Sequence, residues 1–446
     1  MTALKKLSDI IADGVRRIEA GCATQRQDYP MLDDPYVPGD NRVQDDHAVD
    51  AAPVIAAAYQ LIATLTNPDP YIFTWSLAAC LSASLATAGQ GCVADILREA
   101  GPNGMHVKDI AAKNNMDPDK LARILRLLAS RHIFYEVSPD VFRNNRISSS
   151  LCTGKSFEEI QEKPLEKWDN TNGGSAMAEI VGTDVVKAAG FLVENLTDPN
   201  TSHSQEPTQA PLHRAFNANV PFHTWLQAPE NILRLKRMQS GMRSLTGYAP
   251  GTLPWGGFPW RDLPKDSIVV DVGGGIGTVT MDIAARHKQL HFIVQDLPAV
   301  IAQGRRHWAS TDPDSLKKGR VELQEHDFFE PQPVQGATVY MARYILHNWS
   351  DAYCLKMLKR LREAAGPETK LVVMEQIMDH LSRSPEPKKW SIPGNSGYMG
   401  PEALLAYPVA VSGYTYFLDI LVSICHDKMA DREHDSADVL SDDVFA

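Results

Sequence analysis

The stretch SIVVDVGGGIGTVT, residues 267–280, decides the fold of this chain. A short apolar run ends in Asp271 and leads into four glycines between positions 273 and 277. A strand that feeds a glycine-rich turn is typical of nucleotide-binding α/β sheets, in which the ligand lies against the turn. The dinucleotide pattern G-x-G-x-x-G would require a glycine at position 278, where this chain has Thr278. The stretch therefore predicts a nucleotide site and leaves the nucleotide open.

The chain after Gly251 alternates short β-rich runs with helical stretches. The runs are SIVVDVG, HFIVQDL, VELQEHD, TVYMARYIL and KLVVMEQIM. Strands separated by helices imply right-handed crossovers, and therefore a parallel sheet of the Rossmann-like, doubly wound α/β class. Because ligands of such sheets bind at the carboxyl ends of the strands, we expect the functional residues at those ends.

Polar residues follow the second and third strands in a pattern that suits a nucleoside. Asp296, with Leu297 beside it, comes 21 residues after Gly275, where an acid can accept both hydroxyls of a ribose. Asp327 and Phe328 follow the third strand, where a carboxylate can take an adenine amino group and a ring can cover the base. Without a third dinucleotide glycine or an Arg that reads a 2′-phosphate, the site suits S-adenosylmethionine better than NAD.

A histidine and an acid end the fourth and fifth strands, in ARYILHNWSD and at Glu375. Methyl transfer from a sulfonium needs an acceptor oxygen that loses its proton as it attacks. A phenol has a pKa of about 10 and a histidine one of about 6.5, so a neighbouring histidine is a suitable general base. We expect His347 to be this base and Glu375 to hold its other ring nitrogen. The alternative is that His347 is a structural residue at the start of a helix, where its polar groups are satisfied by hydrogen bonds.

The N-terminal part predicts helices followed by a winged helix. DPDKLARILRLLASRHIF predicts a helix capped by Asp117 with Pro118 in its first turn, and IFYEVSPDVFRNN predicts two strands. A winged helix raises the hypothesis of DNA binding, because Arg123, Arg126 and Arg131 lie on or beside the third helix. The net charge of -11 and the lack of a sustained basic patch favour a dimerisation module and no nucleic-acid partner.

Residues 151–250 predict helices joined by polar loops, without strong strand runs. Trp225, Met238 and Met242 lie in this region. Flat aromatic and polarizable side chains suit contact with an aromatic substrate, so these three are candidate substrate contacts. The alternative is that they belong to the core of the helical region.

The composition is that of a globular protein, with 43% hydrophobic and 22% charged residues. The six cysteines form no C-x-x-C pair, so we expect neither a disulfide framework nor a metal site. The first residues show helical spacing rather than an apolar signal segment, which favours a cytoplasmic location. The apolar stretch 403–425 is interrupted by Pro408, Gly413 and Asp419, which favours a buried helix over a membrane span.

Taken together, these motifs resemble the plant and fungal small-molecule O-methyltransferases of the caffeate and sterigmatocystin type. The resemblance covers residues 50–425 and rests on DVGGGIG, QDLPAVI, HDFFEP and ILHNWSDAYCLKMLKRLREA, together with the winged-helix N-terminus. It implies a homodimer formed through the N-terminal domain, S-adenosylmethionine as methyl donor and an aromatic hydroxyl as acceptor. The cofactor contacts that it implies are Gly273, Gly274, Gly275, Gly277, Asp296, Leu297, Asp327, Phe328 and Arg343. It also implies that His347 is the base and that Glu375 steadies it.

Two departures from this family are visible. Where the family has His-Asp-Trp, this chain has Asn348 between the histidine and the tryptophan. After YTYFLDIL the family continues with an Asn-Gly-x-Glu-Arg segment that carries a second acid, then a helix and two strands, whereas this chain has an acidic segment, residues 426–446. We therefore expect two of seven strands to be missing, the fifth strand to become a sheet edge, and the chain to be less stable and weakly active or inactive.

The expected organisation has four regions. Residues 1–150 form a helical and winged-helix dimerisation domain, residues 151–250 a connecting region that lines the substrate, residues 251–425 a methyltransferase domain, and residues 426–446 a disordered acidic tail. The leading functional hypothesis is an O-methyltransferase that acts on a small phenolic secondary metabolite. The alternative is a protein that binds S-adenosylmethionine without transferring its methyl group.

Overall fold

The computed structural model describes residues 2–34, 36, 41–245, 258–375 and 419–426. They divide into two compact units. The first takes the described residues up to 194 and residues 211–245, and the second takes residues 195–210, 258–375 and 419–426. The boundaries that the sequence predicts for four regions stay predictions.

The first unit is mainly helical, and the second unit alternates strands and helices. The α-helices are α1 Ala3–Gln25, α2 Arg42–Asp46, α3 Ala48–Leu65, α4 Pro68–Ser76, α5 Ala78–Gln90, α6 Val93–Ala100, α7 Val107–Asn114, α8 Pro118–Ala129, α9 Arg146–Ser149, α10 Phe157–Glu162, α11 Gly174–Ile180, α12 Val186–Ala189, α13 Leu192–Thr197, α14 Pro211–Phe216, α15 Phe222–Leu226, α16 Ile232–Leu245, α17 Thr278–Arg286, α18 Pro298–Thr311, α19 Pro313–Lys317 and α20 Asp351–Ala364. The strands are β1 Met105–His106, β2 Tyr135–Ser138, β3 Val141–Arg143, β4 Ile268–Val272, β5 His291–Asp296, β6 Val321–Glu325, β7 Val339–Arg343 and β8 Lys370–Met374.

The first unit contains the winged helix that the sequence predicts. The Asp117 side chain accepts a backbone N–H from the first turn of α8 at 2.9 Å, and Pro118 begins that helix. Leu121, Leu125 and Leu128 form the buried face of α8. Beside it, the small antiparallel sheet has the order β1-β3-β2. The predicted Asp117 cap therefore begins α8, and the predicted apolar face packs this helix beside the small sheet of the winged helix.

The connecting helices of the first unit are held by buried ion pairs. Glu179 is 2% exposed and accepts a hydrogen bond from the Lys167 ammonium at 2.8 Å. A π-helical turn, Val181–Val185, follows α11 and carries Asp184, which pairs with the Arg237 guanidinium of α16 at 2.7 Å. Removing one member of such a pair would leave a buried charge without compensation, so these contacts fix how α11 and α16 pack.

The second unit is built on a parallel sheet with the order β6-β5-β4-β7-β8, which confirms the predicted fold class. Val269, Val270 and Val272 of the central strand β4 are fully buried, as expected for a strand covered on both faces. From β4 the chain winds outward to β6 and then returns to β7 on the other side of β4. The strand order therefore reverses between β4 and β7, and ligands of open α/β sheets bind at the carboxyl ends of strands at such a point.

Strand β8 pairs with β7 and is the last strand of this sheet within the described residues. Residues 419–426 are helical, within the stretch for which the sequence predicts a helix. The expectations about missing closing strands, a missing second acid and a disordered acidic tail concern residues that lie outside the described part of the chain.

Two stretches of the first unit are long and apolar enough to cross a membrane, judged by length and composition alone. Ala48–Leu65 has a mean hydropathy of 1.5 and Pro68–Gln90 one of 1.4. In each, only a small share of the apolar window is buried in the single chain, 22% and 11% respectively. The large apolar side chains exposed along these stretches are Val49, Ile55, Tyr59, Ile62, Leu65, Ile72, Phe73, Trp75 and Leu77.

Candidate active site

The glycine loop after β4 requires its glycines for backbone shape and for space. Gly273, Gly275 and Gly277 have φ values of 65°, 62° and 80°, which L side chains rarely adopt. A Cβ at Gly273 would lie 2.6 Å from the Ile345 side chain, whereas a Cβ at Gly275 would meet nothing within 4 Å. The loop is thus packed against the β7 turn at Gly273 and faces open space at Gly275.

Asp296 at the end of β5 fixes this loop. One carboxylate oxygen accepts the N–H of Gly275 and the other accepts the N–H of Leu297, both at 2.8 Å. Burial raises the pKa of Asp296, although the two backbone hydrogen bonds oppose that shift. Each carboxylate oxygen has a second lone pair, so Asp296 can still accept hydrogen bonds from a ligand.

A second carboxylate, Asp271 of β4, lies beneath the loop and is 2% exposed. It accepts a hydrogen bond from the Thr280 hydroxyl at 2.5 Å, which ties β4 to the start of α17. A Cβ on Gly274 would lie 2.5 Å from the Asp271 carboxyl carbon, so the loop packs directly on this acid. Burial raises the pKa of Asp271 to about 7, with the Asp296 carboxylate adding to the rise and the Thr280 hydroxyl opposing it.

The residues after β6 combine an exposed acid with a half-buried ring. Asp327 accepts the N–H of Phe329 at 3.0 Å, which closes a tight turn. A Cβ at Gly273 would lie 3.6 Å from the Phe328 ring, so this ring lies against the glycine loop. Phe328 and Phe329 pack edge-on against Trp349, with ring centroids 5.8 and 4.7 Å away. These aromatic rings therefore connect the turn after β6 to the segment that follows His347.

Glu375, at the end of β8, organises the turn that carries His347. Its Oε1 accepts the backbone N–H groups of Ile345 and Leu346, both at 2.8 Å. Its Oε2 lies 2.8 Å from Nδ1 of His347. Both side chains are largely buried, with 12% of Glu375 and 26% of His347 exposed. One carboxylate thus fixes both the backbone of the turn and the ring orientation of the histidine, as the sequence predicts for this pair.

Tyr344, between Arg343 and the turn, is a residue that sequence reasoning missed. Its φ is 53°, which is rare for a bulky side chain. The Arg343 guanidinium carbon lies 4.4 Å from the centre of the Tyr344 ring, and the His347 ring centre lies 5.6 Å from it. No sequence signal marks this position, because glycine or asparagine is the residue expected where φ is positive.

A segment from the middle of the chain also packs onto the second unit. Residues 195–210 belong to this unit although the residues on either side of them belong to the first. Ser350 donates its hydroxyl to the carbonyl of Gln205 at 3.0 Å, and Tyr353 donates to the Glu206 carboxylate at 2.9 Å. The start of α20, just after His347, is therefore held by a segment that the sequence predicts only as a polar loop.

The three candidate substrate contacts, Trp225, Met238 and Met242, all lie in the first unit. Trp225 is half-buried and packs against Phe216, with ring centroids 4.9 Å apart. Met238 is half-buried, whereas Met242 is 42% exposed. The strand-end residues that the second unit brings together do not include them, and their role stays a prediction.

Comparison with known proteins assigns this chain to a family. Residues 260–392 match the O-methyltransferase domain, and residues 75–154 match the O-methyltransferase dimerisation domain. An O-methyltransferase of Armillaria gallica is 40% identical over 429 residues, which cover 94% of this chain and 89% of the relative. The chain belongs to the O-methyltransferase family. The family that the sequence motifs indicate is therefore confirmed.

Other members and solved structures agree with this assignment. The 4-O-methyltransferase 1 of Phanerochaete chrysosporium is 36% identical and covers 94% of this chain and 90% of its own length. The sterigmatocystin 8-O-methyltransferase of Aspergillus parasiticus is 28% identical, covering 85% of this chain and 82% of its own. The structure of LepI in complex with SAM has a TM-score of 0.64 at 18% identity, covering 96% of this chain and 92% of that one. This last likeness supports the fold.

This O-methyltransferase uses S-adenosylmethionine, as its family does. The residues at the strand ends fit that cofactor. The glycine loop leaves open space at Gly275, and Asp296 keeps lone pairs free for hydroxyl groups. Among the residues that the structure describes, no group of three or more His, Cys, Asp or Glu side chains could hold a metal ion.

Asp271→Asn is expected to remove a pH-dependent loss of stability. Because burial raises the pKa of Asp271 from 3.8 to about 7, the folded chain keeps a proton that the unfolded chain has lost between about pH 4 and pH 7. The free energy of unfolding of the parent protein should therefore fall as pH rises through this window, relative to the variant. Urea titrations should show a relative loss on the order of 1–4 kcal/mol between about pH 5 and pH 8.

The matched control is Asp266→Asn, which changes an exposed acid close to β4. Its stability should follow that of the parent protein across the same pH range. If the Asp271→Asn and parent curves run parallel, Asp271 does not titrate in this window.

Proposed function

We propose that this O-methyltransferase moves a methyl group from S-adenosylmethionine to a hydroxyl of a small aromatic molecule, with His347 as the general base. The observation that carries the proposal is the pairing of His347 with Glu375 beside the glycine loop. Glu375 engages Nδ1 at 2.8 Å, which leaves Nε2 as the ring nitrogen available to an acceptor hydroxyl. The aromatic acceptor is also in keeping with a relative named for sterigmatocystin.

His347 performs the proton step in this proposal. Its Nε2 takes the proton of the acceptor hydroxyl while the oxygen bonds to the methyl carbon and the carbon–sulfur bond breaks. When bound, the cofactor would supply the methyl group on its sulfonium, and its sulfur would keep the electron pair of the broken carbon–sulfur bond as a neutral thioether. Glu375 stabilises the imidazolium that forms, because its carboxylate accepts the Nδ1–H in a largely buried position.

The remaining residues hold the cofactor in this proposal. Asp296 accepts the ribose hydroxyls, while Asp327 and Phe328 take the adenine amino group and the face of the base. Arg343, the last residue of β7, contacts the cofactor in this proposal, and its charge lowers the pKa of Asp271. The backbone of the loop from Gly273 to Gly277, together with Leu297, contacts the ligand. The role of Trp225, Met238 and Met242 as substrate contacts stays a prediction from the sequence.

Asp296→Ala should weaken S-adenosylmethionine binding strongly. The change removes an acceptor of charged hydrogen bonds and releases the N–H of Gly275, so the loop also loses its anchor. Calorimetry should show an affinity lower by on the order of 10²–10³-fold, which corresponds to about 3–4 kcal/mol. Glu322→Ala, an exposed acid on β6, is the control and should bind as the parent does. Equal affinity of the Asp296→Ala variant would remove Asp296 from the cofactor site.

His347→Asn should reduce turnover while leaving the cofactor site intact. The amide nitrogen can still donate to Glu375, but the variant lacks the Nε2 that takes the proton. Mass spectrometry of a panel of phenols incubated with S-adenosylmethionine should show kcat lower by about 10²–10⁴-fold. The cofactor affinity of the variant should match that of the parent protein.

The control for this substitution is His307→Gln on α18, which lies away from the turn and should keep the parent kcat. A His347→Asn variant that methylates phenols at the parent rate would show that His347 is structural. If the parent protein binds S-adenosylmethionine and methylates no phenol of the panel, the alternative of binding without methyl transfer gains support.

We also propose that the protein forms a homodimer through its N-terminal part. The matched dimerisation domain and the exposed large apolar side chains of α3 and α4 support this, because clustered exposed apolar surface marks interaction sites. Ile62 and Phe73 are 56% and 66% exposed. Replacing both with Glu would place two charges in the buried interface, so light scattering should show the monomer mass.

Thr64→Glu tests the same helix α3 outside its apolar face, because residues two positions apart on a helix do not face the same way. This variant should keep the dimer mass. A dimer that persists in the Ile62→Glu, Phe73→Glu protein would place the interface elsewhere.

A further inference from the structure

The backbone at Tyr344 is strained, and the strain is held by its surroundings. A φ of 53° is unfavourable for a non-glycine residue. The N–H of Tyr344 donates to the Met374 carbonyl at 3.0 Å, and its carbonyl accepts from the Asn348 amide at 3.4 Å. Glu375 then fixes the next two backbone N–H groups. Glycine or asparagine would adopt this conformation at lower cost, so a large aromatic ring at this position needs a reason.

The ring of Tyr344 lies between two functional groups of the site. The Arg343 guanidinium carbon is 4.4 Å from the ring centre, within the range of a cation–π contact. The His347 ring centre is 5.6 Å away, and the two ring planes are tilted by 40°. Glu375 fixes the position of Nδ1 of His347, and a single hydrogen bond does not by itself fix the rotation of the ring about it. The Tyr344 ring is placed to limit this rotation.

We infer that Tyr344 is a positioning residue for methyl transfer, whose ring braces the His347 imidazole and keeps the Arg343 guanidinium on the cofactor side. This inference rests on the proposed role of His347 as the base. Bracing matters because proton transfer requires Nε2 within hydrogen-bonding reach of the acceptor oxygen, and an error of about 1 Å can cost 10²-fold in rate. The strained backbone is the conformation that brings the ring to this position.

The test uses variants that distinguish the contribution of the Tyr344 ring from those of its backbone conformation and its hydroxyl. Tyr344→Gly and Tyr344→Asn remove the ring but suit a positive φ, so both should fold, with melting temperatures measured alongside. Tyr344→Phe keeps the ring and removes only the hydroxyl. At saturating cofactor and phenol, the Gly and Asn variants should have kcat at least about 10-fold lower, with cofactor affinity within about threefold of the parent. Tyr344→Phe should restore kcat to within about twofold.

Three outcomes would overturn the inference. They are an unchanged kcat in the Gly and Asn variants, a loss confined to cofactor affinity, and a Phe variant as slow as the Gly variant. His347→Asn is measured in parallel to separate this inference from the proposed function. If His347→Asn is slow while Tyr344→Gly is not, only the positioning role fails. If His347→Asn turns over at the parent rate, both the base and its brace are wrong.

Discussion

The Glu375 carboxylate is the contact on which the rest of the site depends. Its Oε1 accepts the Ile345 and Leu346 N–H groups and its Oε2 contacts the His347 ring, so a single side chain sets both the course of the turn and the position of this ring. The reach of this carboxylate is fixed by strand register, because Arg343 pairs with Met374 at the ends of β7 and β8. A slip of one residue would turn Glu375 to the other face of the sheet.

The cofactor loop depends on buried acids, and their cost explains how they are partnered. Asp296 receives two backbone N–H groups and Asp271 receives a hydroxyl, yet burial still raises the pKa of both. Two buried carboxylates close enough to interact destabilise the folded chain when both are charged. Asp296 anchors the loop at Gly275 and keeps lone pairs for hydroxyl groups, whereas Asp271 supports the loop from beneath at Gly274.

Much of the fold and of the site follows from local sequence. The glycine spacing, the acid after β5 and the His347–Glu375 pair are strand-end residues, and a parallel sheet brings strand ends together wherever its helices lie. Residues whose position depends on tertiary packing could not be predicted. The ring of Tyr344 gives no local sign of a positive φ, and nothing in residues 195–210 indicates that they pack on the second unit.

His347 lies toward one side of the sheet, whereas the glycine loop lies at its centre. Strand β4 is buried on both faces and carries the loop, whereas β8 is the last strand in the described part of the sheet and its residues are only partly buried. Glu375 follows β8, so the orientation of His347 depends on the less buried strand. Strands with fewer buried contacts open more readily. The His347 side of the site is therefore more sensitive to local fraying than the glycine loop, and if His347 is the base as proposed, changes that loosen β8 should lower turnover before they weaken cofactor binding.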